Sequence, residues 1–384
     1  MTNDRSRIID FLQSKHHVEG LTHNFYRYPA RFAPEFAREV IMEFSREGDV
    51  VLDTFMGGGT TIVEAIANGR LACGIDINPL AHFVTRVKTT PLSLHDEEAM
   101  LSWLKSIAPS ANVEKISPNT DSRLRNVPDH VKQFFVSAVE GIGNLKFPRQ
   151  RRFARSALMK LGQWAIDCRE ELPTPDQMKK HLLKDTLEML DGLNKLTETA
   201  RSHGIQKNKI TSKRFLYLGS IDDAISENRM GLFHKPRLVL TSPPYPGVHV
   251  LYHRWQIRGR RETPAPYWLA DLKDGHGESY YTLGGRSEKG QREYFERLTR
   301  TYDLLRAVID EDAVVVQLVA FSEPNTQLPR FLDSMVSAGY KELTLFRSPE
   351  FERPYRQVPN RKWYTQLGQN RHASNEVLLV HRPK

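Results

Sequence analysis

Seven short apolar runs, each closing on a polar or acidic residue or a turn, restrict what this chain can fold into more than any other feature. They are Asp49–Asp53, Leu71–Asp76, Phe215–Ser220, Leu238–Thr241, Ala313–Val319, Leu343–Phe346 and Glu376–Val380. Short continuous apolar runs suit strands buried on both faces, as in a parallel sheet covered by helices. Helical patterns lie between them, at Thr60–Asn68 with Gly69 as its stop, Glu293–Ile309 and Leu328–Ser337. Alternation of this kind predicts a doubly wound, Rossmann-like α/β domain with a seven-stranded sheet.

One interval breaks the alternation. From about Leu92 to Lys213 the pattern is helical with no strand, so a large helical insertion is expected rather than one loop. Within it, Arg151–Cys168 places Phe153, Ala157, Leu161, Trp164 and Cys168 on one helical face. Between Lys146 and Arg169 seven residues are basic and one, Asp167, is acidic.

The net charge of +9 over 384 residues favours a polyanionic partner, with nucleic acid the usual one, although a generally basic protein gives the same total. No run approaches the roughly 20 apolar residues of a bilayer span, and Met1–Arg5 opens without a signal-peptide core, so a cytoplasmic location is expected. Two cysteines, Cys73 and Cys168, are too few for a disulfide framework or a metal cluster. No metal is expected.

Two segments carry chemistry. In Asp53-Thr-Phe-Met-Gly57-Gly58-Gly59-Thr60 a strand ends, glycines turn the chain tightly, and a helix begins. A cofactor passing over such a turn would lie above the C-terminal edge of the sheet. Asp76, closing the second strand, is placed to accept hydrogen bonds from ribose hydroxyls. A plain structural turn remains open; a phosphate loop lacks its Gly-Lys-Ser/Thr, and the nicotinamide spacing fits poorly. The second segment, Leu238-Val-Leu-Thr241-Ser242-Pro243-Pro244-Tyr245, is a buried strand running into two prolines. Proline cannot continue a central strand, so the chain leaves the sheet at its edge with both φ angles fixed. Rigid acceptor oxygens beside an aromatic ring suit a flat ring that bears an amino group.

DTFMGGGTT followed by TSPPY resembles the amino-methyltransferases of DNA, which act on cytosine N4 or adenine N6. The resemblance covers about residues 20–90 and 215–384 and leaves out the insertion. It divides the chain into 1–91, an upstream cofactor segment with the first half of a methyltransferase domain; 92–213, an insertion and candidate DNA-recognition subdomain; and 214–384, the second half with the catalytic motif. It implies S-adenosylmethionine as cofactor. The upstream segment His23–Pro34 would face its methionine end through Tyr28, Pro29 and Phe32, and Asp222 its adenine. Asp53, Phe55, Gly57, Gly59, Thr60, Asp76, Asn78 and Thr241 complete the implied cofactor set.

Ser242, Pro243, Pro244 and Tyr245 are the implied catalytic set. The side chain of Ser242 and the carbonyl of Pro243 would accept the amine hydrogens, and Tyr245 would stack on a base flipped from duplex DNA. Serine at the first catalytic position leans toward cytosine N4, with adenine N6 as the alternative. An RNA base methyltransferase and a non-catalytic nucleic-acid-binding protein are the further alternatives. Methylation at cytosine C5 needs a cysteine nucleophile, which follows a proline in that family. Cys73 and Cys168 both read instead as core residues.

Candidate phosphate contacts are Arg254, Arg258, Arg260 and Arg261 around Trp255, with Arg151 and Arg152 on the basic helix. Trp363 and Tyr364 are a third candidate, and His249 and His253 read as surface residues. A cognate restriction endonuclease or defence-system protein is the candidate partner besides DNA.

Overall fold

A computed structural model of the chain describes residues 4–14, 18–28, 31–107, 121–246, 254–258, 261–274, 283–346, 353–357 and 375–384. The central sheet uses β1 (Val50–Asp53), β2 (Leu71–Asp76), β3 (Arg214–Leu218) and β4 (Leu238–Thr241). A separate antiparallel ribbon follows, β5 (Trp255–Ile257) with β6 (Arg261–Thr263). β7 (Val314–Ala320), β8 (Tyr340–Glu342), β9 (Tyr355–Gln357) and β10 (Asn375–Pro383) then complete the sheet. Its order is β3-β2-β1-β4-β7-β10-β8, with β9 also pairing β10. The first five strands of that order are parallel, and β10 runs antiparallel to its neighbours. The chain winds outward from β1 through β2 to β3, then returns to place β4 on the other side of β1. That reversal makes the β1–β4 gap the switch point, where open α/β sheets bind ligands beyond their strand ends.

The α/β expectation holds, with one more strand than predicted. Leu343–Phe346 is not a strand: β8 ends at Glu342, one last bond runs from the Leu343 N–H to Val380 O at 2.7 Å, and Phe346 instead tucks into the core beneath the sheet. The short pairs Tyr340–Glu342 and Tyr355–Gln357 replace it.

The strands alternate between two cores. Val51, Leu238 and Leu240 face α1 (Asp4–Gln13), α2 (Pro34–Phe44) and α3 (Thr60–Ala67). Leu52, Ile75 and Val239 face α9 (Ile221–Ser226), α11 (Glu288–Val308) and α12 (Pro324–Ser337). Period-two burial on both faces is why these runs are almost wholly apolar until they leave the sheet, with Gln317 of β7 a buried exception.

A third core lies beside the β3 edge. It joins α4 (Pro79–Lys88), α5 (Leu94–Ser106), α6 (Asp129–Ile142), α7 (Pro148–Ile166) and α8 (Pro175–Ser202) with α10 (Ala265–Ala270) and the ribbon. Its packing therefore crosses the sequence positions 91 and 214. Trp255, named in the sequence among arginines suited to phosphate contacts, is 2% exposed. Its indole fills a notch on α7 where a Cβ on Gly162 would meet the ring at 2.2 Å. The backbone N–H of Cys168 donates to Gln256 O at 2.7 Å and that of Gln256 to Asp167 Oδ1 at 3.0 Å, clamping the ribbon further. Cys168 itself is exposed, outside the helix and in a left-handed conformation (φ 56°), so the core reading is wrong for it; α7 has ended at Ile166. Cys73 is buried, and burial pushes its thiol up to about 12.

Candidate functional site

The switch point is closed by a side-chain bond between strand ends that are 188 residues apart in sequence. Thr241 Oγ1, at the end of β4, donates to Asp53 Oδ1, at the end of β1, at 2.7 Å. The Phe55 N–H donates to the same oxygen at 3.2 Å. Asp53 and Thr241 are buried, while Phe55 beside them is half-exposed.

The glycine turn then runs into α3. Gly57 and Gly59 have φ of 45° and 73°, the left-handed region that glycine enters without steric cost. Gly58 has a different reason, since its Cβ would lie 2.7 Å from Tyr28 Cβ. The turn packs against Tyr28 on the upstream segment and Thr85 on α4, so the glycines answer to protein neighbours as well as to backbone geometry. Lys88 supports the turn from the same helix, its Nζ donating to Gly58 O at 2.6 Å. Burial, with Arg31 nearby, holds that amine well below the usual lysine range. Thr85 and Lys88 carried no sequence signal, because their roles arise only when α4 folds back beneath the turn.

Asp76 ends β2 with both oxygens occupied. Oδ2 accepts from the Gly57 N–H and Oδ1 from the Asn78 N–H, both at 2.8 Å. Asn78 caps α4 by accepting from the Leu80 N–H at 2.9 Å, and its Nδ2 donates to Tyr28 Oη at 3.0 Å. Tyr267 Oη donates to Asn78 Oδ1 at 3.3 Å, which brings α10 into the same network.

Burial pushes both Asp53 and Asp76 up to about 6, and among the described residues no cation offsets it. Buried carboxylates without a cation are costly, and a ligand that offers an ammonium and hydroxyl donors relieves that cost. Thr60 Oγ1, at the first position of α3, is buried and has no hydrogen-bond partner among the described residues. S-adenosylmethionine carries such donors, so this set fits it.

The raised carboxylates give two pH effects of opposite sign. Unfolded aspartate titrates near pH 3.9, so the folded protein binds these two protons more tightly than the unfolded chain. Their contribution to stability is present below about pH 4 and is lost as pH rises to about 6. Denaturant titration of the ligand-free protein should show that loss against Asp76→Asn as reference. Affinity for S-adenosylhomocysteine, measured by calorimetry, should instead fall as pH drops below about 6 and the carboxylates protonate.

The Ser-Pro-Pro-Tyr turn leaves β4 at Ser242. Ser242 Oγ donates to Leu318 O on β7 at 2.8 Å, which spends its hydrogen on the sheet and leaves the oxygen lone pairs as acceptors. Pro243 is buried and Pro244 half-buried. Tyr294 Oη on α11 donates to Pro244 O at 2.7 Å, so that carbonyl is already engaged. Tyr245 Oη donates to Glu376 Oε1 on β10. Glu376 is 1% exposed, and its other oxygen pairs with Arg356 of β9 at 2.6 Å. Arg356 in turn donates to Arg31 O at 3.4 Å, tying the turn to the upstream segment.

Sequence reasoning missed Glu376, Arg356 and Tyr294, since nothing in a strand or helix pattern marks partners that lie 20 to 131 residues away. Glu376→Gln should lower the methyl-transfer rate about tenfold to a hundredfold while leaving cofactor affinity intact, by letting the Tyr245 ring drift. Single-turnover rates and calorimetry on the same preparation would separate the two effects.

The remaining expected residues are spread over the molecule. Phe32 is 6% exposed, packed on Phe36 with ring centroids 5.8 Å apart, so it belongs to the core beneath α2. Asp222 opens α9 and pairs with Arg300 at 2.8 Å. Arg254 is engaged by Asp274 at 3.0 Å and Glu262 at 3.8 Å, whereas Arg258 and Arg261 are exposed on the ribbon. Arg151 donates to Leu145 O at 3.0 Å near the start of α7, and Arg152 is half-buried there. Pro29, Arg260, His249, His253, Trp363 and Tyr364 lie outside the described residues. Among the described residues no helix is long and apolar enough to cross a membrane.

Comparison with known proteins adds to this geometry. Residues 5–84 match the N6/N4-type family model described as DNA methylase. The type II methyltransferase M.MvaI of Kocuria varians is 38% identical over 93 residues, 23% of this chain and 20% of that protein. M.BsoBI of Geobacillus stearothermophilus, also a type II methyltransferase, is 38% identical over 77 residues, 20% of this chain and 15% of that protein. The chain thus spans at most a fifth of the length of these relatives. Among solved structures, a SAM-dependent methyltransferase from Agrobacterium tumefaciens aligns with a TM-score of 0.32 at 10% identity, over 93% of this chain and 64% of that one.

Proposed function

We propose that this chain, a member of the DNA amino-methyltransferase family by its residues 5–84, methylates the exocyclic amino group of a DNA base, cytosine N4, with S-adenosylmethionine as donor. The observation that carries the reading is the 2.7 Å bond from Thr241 to Asp53, which sets the glycine turn and the Ser-Pro-Pro-Tyr turn side by side at the switch point. Asp76 would hold the ribose hydroxyls, with Asp53, Thr60 and the Phe55 ring holding the rest of the cofactor. When bound, it supplies a methyl group already activated on a sulfonium.

The chain's own residues then have two tasks. Ser242 Oγ, its hydrogen given to Leu318, accepts one amine hydrogen, and the carbonyl of Pro243 accepts the other. Hydrogen bonds to both, with neither proton removed beforehand, turn the nitrogen lone pair out of the ring plane and toward the methyl. One of the two protons is released to solvent once the nitrogen carries the methyl. Tyr245, held by Glu376, covers the face of the base, which must leave the duplex at a cost of a few kcal/mol. Alignment lowers the barrier mainly by removing the entropy cost of a bimolecular encounter.

The test is to incubate the protein with labelled S-adenosylmethionine and mixed DNA, digest to nucleosides and identify the labelled base. Label on N4-methylcytosine is expected. Label on adenine overturns the cytosine assignment, and label only in RNA overturns DNA as substrate. Asp76→Ala should weaken S-adenosylhomocysteine binding about tenfold or more, since a hydrogen bond to a charged group contributes about 1.5–3 kcal/mol.

A further inference from the structure

Arg214 opens β3 at the end of the sheet opposite the reactive edge. Across the β2–β3 ladder Ala72 faces Arg214 and Asp76 faces Leu218, so about 13 Å of strand separates it from the Asp76 level. Its guanidinium folds back over the end of α4, donating to Thr90 Oγ1 at 2.9 Å. The Thr90 hydroxyl is itself oriented by a 2.6 Å bond to Arg86 O. The remaining Nε–H of Arg214 is buried with no hydrogen-bond partner among the described residues.

The charges of Arg86 on α4 and Arg152 on α7 act on it. Burial first, then Arg86 from α4 and Arg152 from α7, pull Arg214 down to about 9. Arg152 is lowered in the same way by burial, Arg86 and Arg151. No carboxylate among the described residues acts on Arg152 or Arg214.

The C-terminal carbonyls of α4 account for one cation near that helix end. They do not account for three converging guanidiniums, nor for a buried N–H left unpaired, which is a costly arrangement in a finished protein. Guanidinium forks match phosphate oxygens bidentately, and several around one tetrahedral anion satisfy N–H groups that cannot reach a flat carboxylate together.

We propose that Arg86, Arg152 and Arg214, with the Thr90 hydroxyl, form a phosphate-binding site remote from the Ser-Pro-Pro-Tyr turn. The group is a backbone phosphate of nucleic acid away from the target base, or a free phosphate. The site does not depend on methyl transfer. Arg152 thus acts with α4 and β3 rather than beside the reactive turn.

The test uses the full chain without cofactor. Inorganic phosphate should raise the melting temperature above that in sodium chloride of matched ionic strength, and Arg86→Gln and Arg152→Gln should abolish that difference. Arg86 is exposed, so its variant should fold even if Arg214→Gln does not. In parallel, duplex DNA affinity is measured against salt. A slope of log affinity on log salt reduced by about 1 in Arg86→Gln identifies a backbone phosphate as the occupant. A phosphate-specific stabilisation with an unchanged DNA slope identifies free phosphate. Absence of both effects overturns the site.

Discussion

Ser242→Ala is expected to lower methyl transfer by about a hundredfold to a thousandfold, the range seen when one preorganised polar contact to a transition state is removed. Cofactor binding should not change, because Ser242 sits on the β4 turn and its side chain, among the described residues, bonds to Leu318 O. Losing that bond should cost about 1 kcal/mol of stability, a small effect beside the catalytic one. Ser242→Asn keeps an acceptor oxygen and should lose less activity than alanine. Single-turnover methylation of duplex DNA, with S-adenosylhomocysteine calorimetry on the same variants, reads both quantities. Full activity in Ser242→Ala would show that the amine is held elsewhere.

Gly59→Ala is expected to have the largest structural effect of any single methyl added to this chain's reactive edge. The residue sits at φ 73°, where a Cβ adds about 1–2 kcal/mol of strain. That Cβ would also lie 2.4 Å from Thr85 Oγ1 and 2.9 Å from Thr85 Cβ, and Thr85 is fully buried. Overpacking of this kind adds about 1–3 kcal/mol. Urea denaturation should therefore show a loss of about 2–5 kcal/mol, the sum of those two contributions. Thr85→Gly in the same chain should recover the packing part and leave the backbone strain. If Gly59→Ala unfolds at the wild-type midpoint, the turn is not held between α3 and α4 as described.

What the sequence made legible was whatever is local. The glycine turn, the acid closing β2 and the proline exit from β4 each announce themselves within a few residues, because φ restriction and buried runs act at short range. Leu343–Phe346 misled for the same reason: an apolar run tells that a segment is buried, not whether it pairs. Phe346 satisfies its burial by covering the end of the core. Trp255 was read from its arginine neighbours in sequence, while its true neighbour is Gly162, on a helix 93 residues earlier in the chain. The support beneath the candidate site was equally hidden. Glu376 lies 131 residues from Tyr245, and a single buried acid in the last strand has no period that links it to a phenol.

The seating of Trp255 in the Gly162 notch bears on which pieces of this fold can be exchanged separately. The segment that follows the reactive turn and the helices of 92–213 share one interlocking surface, although other sequence separates them in the chain. A graft that imports a foreign insertion alone would meet an indole with no socket, and one that imports the ribbon alone would press it against a filled helix. The two therefore fold as one unit made from two pieces of chain, and grafts should keep their stability only when both travel together.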